Sequence, residues 1–206
     1  MSLLEGTVSL TRYHVTNKIP GLTDEFLTES IKRNTFIDID HTADQESIGW
    51  VEVLNPLATD FDPASYRFGE IVALGMRIDR RKVAPKIVKR YLTLAEAELQ
   101  QIPGRQLGPE ERKALRDRVH LELMQRTPVS TKVIEVCWFM ERDEVWLTSS
   151  GTKDREQFEE LWRRTFETGL MMKVPFILAG QLLPADIPAG KLEHVKPAAL
   201  FGGRKR

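Results

Sequence analysis

The sequence predicts an α+β protein: a mixed or antiparallel sheet body with flanking helices and a projecting, charged helical hairpin. Three observations predict it. Strand-like and helix-like segments interleave without a regular βα repeat. Two consecutive helical segments, between residues 84 and 126, are joined by a short link and carry charge on their outer faces. Two β-like runs around a tight turn follow them. The expected division is a body of residues 1–83 and 127–183, an inserted hairpin of residues 84–126, and a mobile tail of residues 184–206.

Taken in order, Thr7 to Val15 reads as a strand. Thr23 caps a helix running to Arg33, with Asp24 and Glu25 in its first turn and Asn34 as its stop. TFIDID (35–40) is β-like, and IGWVEV (48–53) alternates as a half-buried strand should. NPLATDFDPAS (55–65) is a turn-rich loop. Ile71 to Ile78 is an apolar run of buried-strand length.

Pro85 opens the first hairpin helix, with Ile87, Tyr91, Leu94 and Ala95 as its apolar stripe and IPG (102–104) as its end. Pro109, Glu110 and Glu111 start the second, with Leu115, Val119 and Leu123 as its stripe. KVIEVCWF (132–139) and EVWLT (144–148) form a β-hairpin around MERD. Thr152 caps a further helix, with Phe158, Leu161, Trp162 and Thr165 on one face and Gly169 as its stop. Met172 to Leu178 reads as the last strand.

With 41% hydrophobic and 29% charged residues the chain has the composition of a folded, soluble domain. No apolar window reaches the roughly 18 residues of a membrane span, and MSLLEGTVSLTRYH lacks the basic-then-apolar order of a signal peptide. Cys137 is the only cysteine, so no internal disulfide forms. The expectation is a cytoplasmic protein with no membrane partner.

Chemistry-bearing motifs are sparse: there is no phosphate loop, no GxSxG and no HExxH. DIDHTAD offers Asp38, Asp40, His41 and Asp44 as a candidate cation site, against the plainer reading of an acidic loop in water. Cys137, among Val136, Trp138 and Phe139, reads as a core thiol. No catalytic residue, metal or cofactor is expected.

The stronger signal is charge. The formal net charge is zero, yet Thr35–Glu70 carries eight acids and one base, a balance of −7. Arg77, Arg80, Arg81, Lys82, Lys86, Lys89 and Arg90 stand against Asp79 alone, a balance of +6. On a helix Lys82, Lys86, Lys89 and Arg90 share one face at i, i+4, i+7 and i+8. Arg112, Lys113, Arg116 and Arg126 on the returning helix extend the same surface. Such a surface suits the phosphates of a nucleic-acid backbone, contacted without sequence readout. The alternatives are a solvated face paired with acids, or a docking face for an acidic protein partner. Aromatic residues do not interleave with the bases, so base stacking is not indicated.

Three stretches carry a resemblance to a known family. They are SIGWVEV (Ser47 to Val53); IVALGMRID followed by RRKVAPKIVK and a charged helical hairpin; and RDRVHLELMQRTP followed by VIEVCW, VWLTSS and a helix. The chain resembles, over residues 5 to 176, the bacterial recombination-associated nucleoid proteins of the RdgC family. In its Leu-Leu-x-Arg motif, Leu123 and Met124 match the leucines and Arg126 the arginine, while Pro128 falls where the family has Phe. The resemblance implies binding to single- or double-stranded DNA with little sequence preference. It also implies a homodimer that encircles or clamps the duplex and restrains recombinase filaments. Ile102 and Leu107, near the hairpin turn, are candidate contributors to self-association.

Overall fold

The computed structural model describes residues 8–19, 21–100, 107–183 and 189–195. Its strands are β1 (Thr11–Val15), β2 (Glu46–Glu52), β3 (Arg67–Phe68), β4 (Ile71–Arg80), β5 (Ser130–Phe139), β6 (Glu144–Leu147) and β7 (Leu170–Met172). Its helices are α1 (Asp24–Arg33), α2 (Pro63–Tyr66), α3 (Pro85–Gln100), α4 (Pro109–Arg126), α5 (Thr152–Phe166) and α6 (Pro175–Leu182). The strands form one antiparallel sheet in the order β2-β4-β5-β6-β1-β7, with β3 beside β2 on the same edge of β4. The fold is α+β.

β4 and β5 pair along their whole length, from Ile71↔Phe139 to Arg80↔Ser130. Residues 81–129 are therefore an excursion from a single β-hairpin, and α3 and α4 leave and rejoin the sheet at one end. Each half of the excursion opens on proline in the first helical turn, Pro85 and Pro109. A missing N–H costs nothing there. Thr127, extended because Pro128 follows it, ends α4.

One face of the sheet holds the core. Alternate residues Tyr13, Val15, Trp50, Leu74, Met76, Ile134, Val136, Trp138, Val145 and Leu147 meet Leu27 and Ile31 of α1 and Phe158, Leu161, Trp162 and Phe166 of α5. The aromatic rings interlock: Trp138 and Trp162 meet edge to face at 5.1 Å, and Trp162 and Phe166 lie 4.5 Å apart. Buried Trp50 donates its indole N–H to Thr165 Oγ1 at 2.8 Å, so its one polar atom is satisfied. Gly49 precedes it for a steric reason. A Cβ there would fall 2.4 Å from the backbone of Phe36, which crosses that face of β2.

The two hairpin helices make a second, separate cluster. Leu115, Val119 and Leu123 of α4 pack against Val83 and against Val88, Leu92, Ala95 and Leu99 of α3. Of the stripe expected on α3, only Ala95 faces α4. Ile87, Tyr91 and Leu94 are 46%, 44% and 52% exposed. Both stripes have helical spacing, and the strip one position further on is the one that meets α4.

Several expected boundaries move. β1 starts at Thr11, and Thr7 lies outside the described residues. TFIDID contributes only a parallel bridge, Thr35 to Trp50, because the chain then turns over the sheet. Gly151, not Thr152, is the N-cap of α5. The helix stops at Glu167, which itself takes the left-handed conformation (φ 54°) expected of Gly169. The expected last strand ends at Met172, and Pro175 starts α6 instead. MERD is a single 3-10 turn closed by Asp143 at φ 47°. IPG (102–104), Ile102 and most of the tail lie outside the described residues, although Ala189–His194 forms a 3-10 turn near α6. Leu107 is partly buried against the hairpin cluster, so it belongs to that small core.

Candidate nucleic-acid interface

The basic stretch divides at the end of β4. Arg77 lies on the sheet face opposite the core and donates to both carboxylate oxygens of Asp79, at 3.0 and 2.7 Å. Its guanidinium stacks 4.2 Å from the centre of the Phe36 ring. Asp79 is fully buried, and its bonds to Arg77 hold the arginine's pKa above the ordinary value. Arg80 pairs with Glu46 and donates to Gln157 of α5 at 2.5 Å. Arg81 is 4% exposed and donates to the carbonyls of Thr42, Ile39 and Asp40 at 2.5, 2.9 and 3.1 Å. These three arginines tie the acidic segment to the sheet. Expected to join the DNA-contacting bases, they are held instead by groups of the body, because β4 runs two residues beyond Ile78.

DIDHTAD is accordingly the strap over Arg81. Asp38 accepts the backbone N–H of Asp40 at 2.7 Å, and Asp44 accepts the Thr42 hydroxyl at 2.8 Å. Among the described residues no three His, Cys, Asp or Glu side chains converge on a point that could hold a metal ion.

From Lys82 onward the cations face solvent. Lys82, Lys86, Lys89, Arg90, Arg112, Lys113, Arg116 and Arg126 are all exposed. No ion pair joins any of them to an acid among the described residues. Five of them line grooves on the two flanks of the helix pair. A groove of about 570 Å³ runs along one flank, between Val88, Lys89 and Leu92 of α3 and Arg116, Asp117 and His120 of α4. Leu92 and Arg116 also line the adjoining hollow with Glu96, Arg112 and Lys113. This flank sets four Lys or Arg side chains against two acids.

The opposite groove, about 360 Å³, is lined by Tyr91, Leu94, Glu98, Arg118, Glu122 and Arg126, among others. There two arginines meet two acids, and Arg118 reaches Glu122 at 3.9 Å. The structure thus separates Arg126 from Arg112, Lys113 and Arg116. Leu123 and Met124 are buried, which makes the two matched leucine positions packing residues.

A further cluster lies on the sheet face away from the core. Glu144 accepts from Arg12 Nε at 2.6 Å, Trp146 Nε1 at 2.7 Å and Lys173 Nζ at 2.9 Å. The bond from Arg12, with those from Lys173 and Trp146, outweighs burial and lowers the Glu144 pKa to about 2. Cys137 is on this same face, half-buried and outside the core. Burial pushes its thiol up to about 11, so it stays protonated at neutral pH. Sequence reasoning missed Arg12, Lys173 and Trp146 because three strands must be in register before they meet. The alternation of EVWLT, which puts Glu144 and Trp146 on one side, was the available signal.

No curated protein matches the chain. No helix among the described residues is long and apolar enough to cross a membrane. The family model described as "Putative exonuclease, RdgC" matches residues 9–179, which include the whole sheet and the inserted hairpin. With most of its length accounted for by that match, the chain belongs to the RdgC family.

Proposed function

We propose that this chain is a non-catalytic, nucleoid-associated DNA-binding protein that holds the duplex backbone with the exposed cations of its hairpin. The contact residues are Lys82, Lys86, Lys89, Arg90, Arg112, Lys113 and Arg116. It acts as a homodimer that clamps or encircles the duplex and restrains recombinase filaments. The observation that carries the reading is the set of seven exposed cations without an ion-pair partner among the described residues. Exposed lysines and arginines released from internal pairing are free to displace condensed counterions from phosphates. Contacts to phosphate carry no sequence information, so affinity without sequence preference follows. In DIDHTAD the Asp38 and Asp44 carboxylates accept local hydrogen bonds, which supports the non-catalytic reading.

A second reading, in which the hairpin docks a protein, is favoured by the exposed stripe Ile87–Tyr91–Leu94. Changing Lys82, Lys86, Lys89 and Arg90 together to Glu separates the two. Duplex binding is expected to be lost while circular dichroism and the melting curve are retained, because these positions lie outside both cores. A folded quadruple variant that binds random-sequence duplex with the original affinity and salt dependence would overturn the DNA reading.

A further inference from the structure

Helices α1 and α5 pack on one face of the sheet. On the other, the segments on either side of β2 reach over β4, where Phe36 and Pro56 meet Arg77. Across β5, β6 and β1 that face carries cross-strand rows set by the register. One row is Arg12–Trp146–Cys137–Ala73, and the next is His14–Glu144–Phe139–Ile71. Phe139 and Trp146, diagonal neighbours on the two middle strands, hold their ring centres 4.7 Å apart at 55°. Both are partly exposed, and neither packs into either core cluster. An aromatic pair left on an open sheet face, where apolar surface is ordinarily avoided, asks for a planar occupant.

Cations frame the pair. Arg12, its side chain 48% exposed, and Lys173 are both anchored on Glu144, which also fixes the Trp146 indole through its N–H. The carboxylate neutralises one of the two charges and sets where both lie, so Arg12, Lys173 and Glu144 together leave one positive charge at the edge of the aromatic surface. Fixed aromatic faces beside positive charge are what unpaired nucleobases and their phosphates require. Antiparallel sheets with aromatics on adjacent strands stack bases in this way. A duplex, whose bases are already stacked inside, has nothing to offer these rings.

We infer that the open face of β5, β6 and β1 binds single-stranded nucleic acid by stacking bases on Phe139 and Trp146. This site is separate from the hairpin and goes beyond the duplex reading, so each survives or fails without the other. Tryptophan emission reports on it directly. Trp50, Trp138 and Trp162 are buried, which leaves Trp146 as the accessible one of the four.

The experiment titrates the full chain with a short oligothymidylate and with an abasic oligomer of equal length, following emission. The oligothymidylate is expected to quench and the abasic oligomer not to. In Phe139→Leu/Trp146→Leu, which keeps apolar bulk and therefore the fold, oligothymidylate affinity measured by anisotropy of a labelled strand is expected to drop about tenfold or more. Duplex affinity is expected to stay unchanged in that variant. In the quadruple hairpin variant the oligothymidylate quench is expected to persist. Equal quenching by the abasic oligomer overturns the inference, because phosphate alone then accounts for binding. Unchanged oligothymidylate affinity in the double variant overturns it too, whatever the hairpin does. A change in solution mass instead of affinity makes the face an interface between copies, and the inference falls.

Discussion

Arg81 and Lys82 are adjacent in the chain and opposite in circumstance. Arg81 is wrapped by the carbonyls of Ile39, Asp40 and Thr42, while Lys82 stands in solvent. The same border divides everything on either side. Below it, Arg77 and Arg80 meet acids or amides of the body; above it, the seven hairpin cations from Lys82 to Arg116 meet no acid among the described residues, and Arg118 meets only Glu122 of its own helix. A cation inside a fold must be neutralised, since desolvating it alone costs several kcal/mol. A cation on a two-helix hairpin has no such requirement and remains available to a polyanion. The arginines at the end of β4 are structural, and the unpaired hairpin cations are functional under the reading proposed above.

The sharpest way to break this comparison is to remove the acid beneath Arg77. Asp79→Ala leaves a guanidinium buried without its carboxylate, and the expected loss is about 3–5 kcal/mol of stability. Lys89→Glu, an exposed substitution in the same basic stretch, is expected to change stability by no more than about 0.5 kcal/mol. Urea denaturation of the two variants is the measurement. Comparable losses would show that the hairpin cations are as structural as the arginines of β4.

The border between the two groups was readable in part. IVALGMRIDR keeps period-two alternation through Arg77 and Asp79, so strand geometry alone places that pair on one face. Treating the basic residues as one run hid this, because charge density carries no information about secondary structure. The fold class, α1 with its Thr23 cap, and the order of strands around the insertion were legible from local patterns. The choice between Ile87–Tyr91–Leu94 and Val88–Leu92–Ala95–Leu99 was not. Both have the right period, and only the position of α4 decides between them. For the same reason Phe139 and Trp146 carried no stacking signal: their proximity depends on the register that the Met140–Arg142 turn imposes.

Acid sharpens the comparison with a smaller effect. The Glu144 pKa lies at about 2 in the fold, below the ordinary 4.5 of the unfolded chain. A depressed carboxylate pKa contributes stability that is complete above the unfolded value and is lost as pH falls through the folded one. The window is therefore pH 4.5 down to 2. The contribution is on the order of 2 kcal/mol, discounted because Arg12 is half exposed. Glu144→Gln is expected to flatten that part of the stability-against-pH curve, measured by denaturant midpoints. Substituting Lys86 or Lys89 is expected to leave it unchanged, since neither pairs with a titrating carboxylate among the described residues.

The finest test lies within the hairpin, between two arginines of one helix. Arg116 lines the flank where four cations face two acids, and Arg126 lines the flank where two face two. Both are exposed, so their replacement by alanine is expected to cost little stability. Their effects on duplex binding differ if the flanks do. A residue that neutralises a phosphate contributes about 0.9 to the slope of log K against log salt. Arg116→Ala is expected to shallow that slope by about 0.9, and Arg126→Ala to leave it unchanged. The prediction sets flank geometry against the motif match, because Arg126 is the residue that matches the family arginine. A shallower slope for Arg126→Ala with none for Arg116→Ala would place the phosphates in the Tyr91–Glu122 groove and reverse the assignment of the two sides. Equal shallowing in both would mean that the duplex touches both grooves.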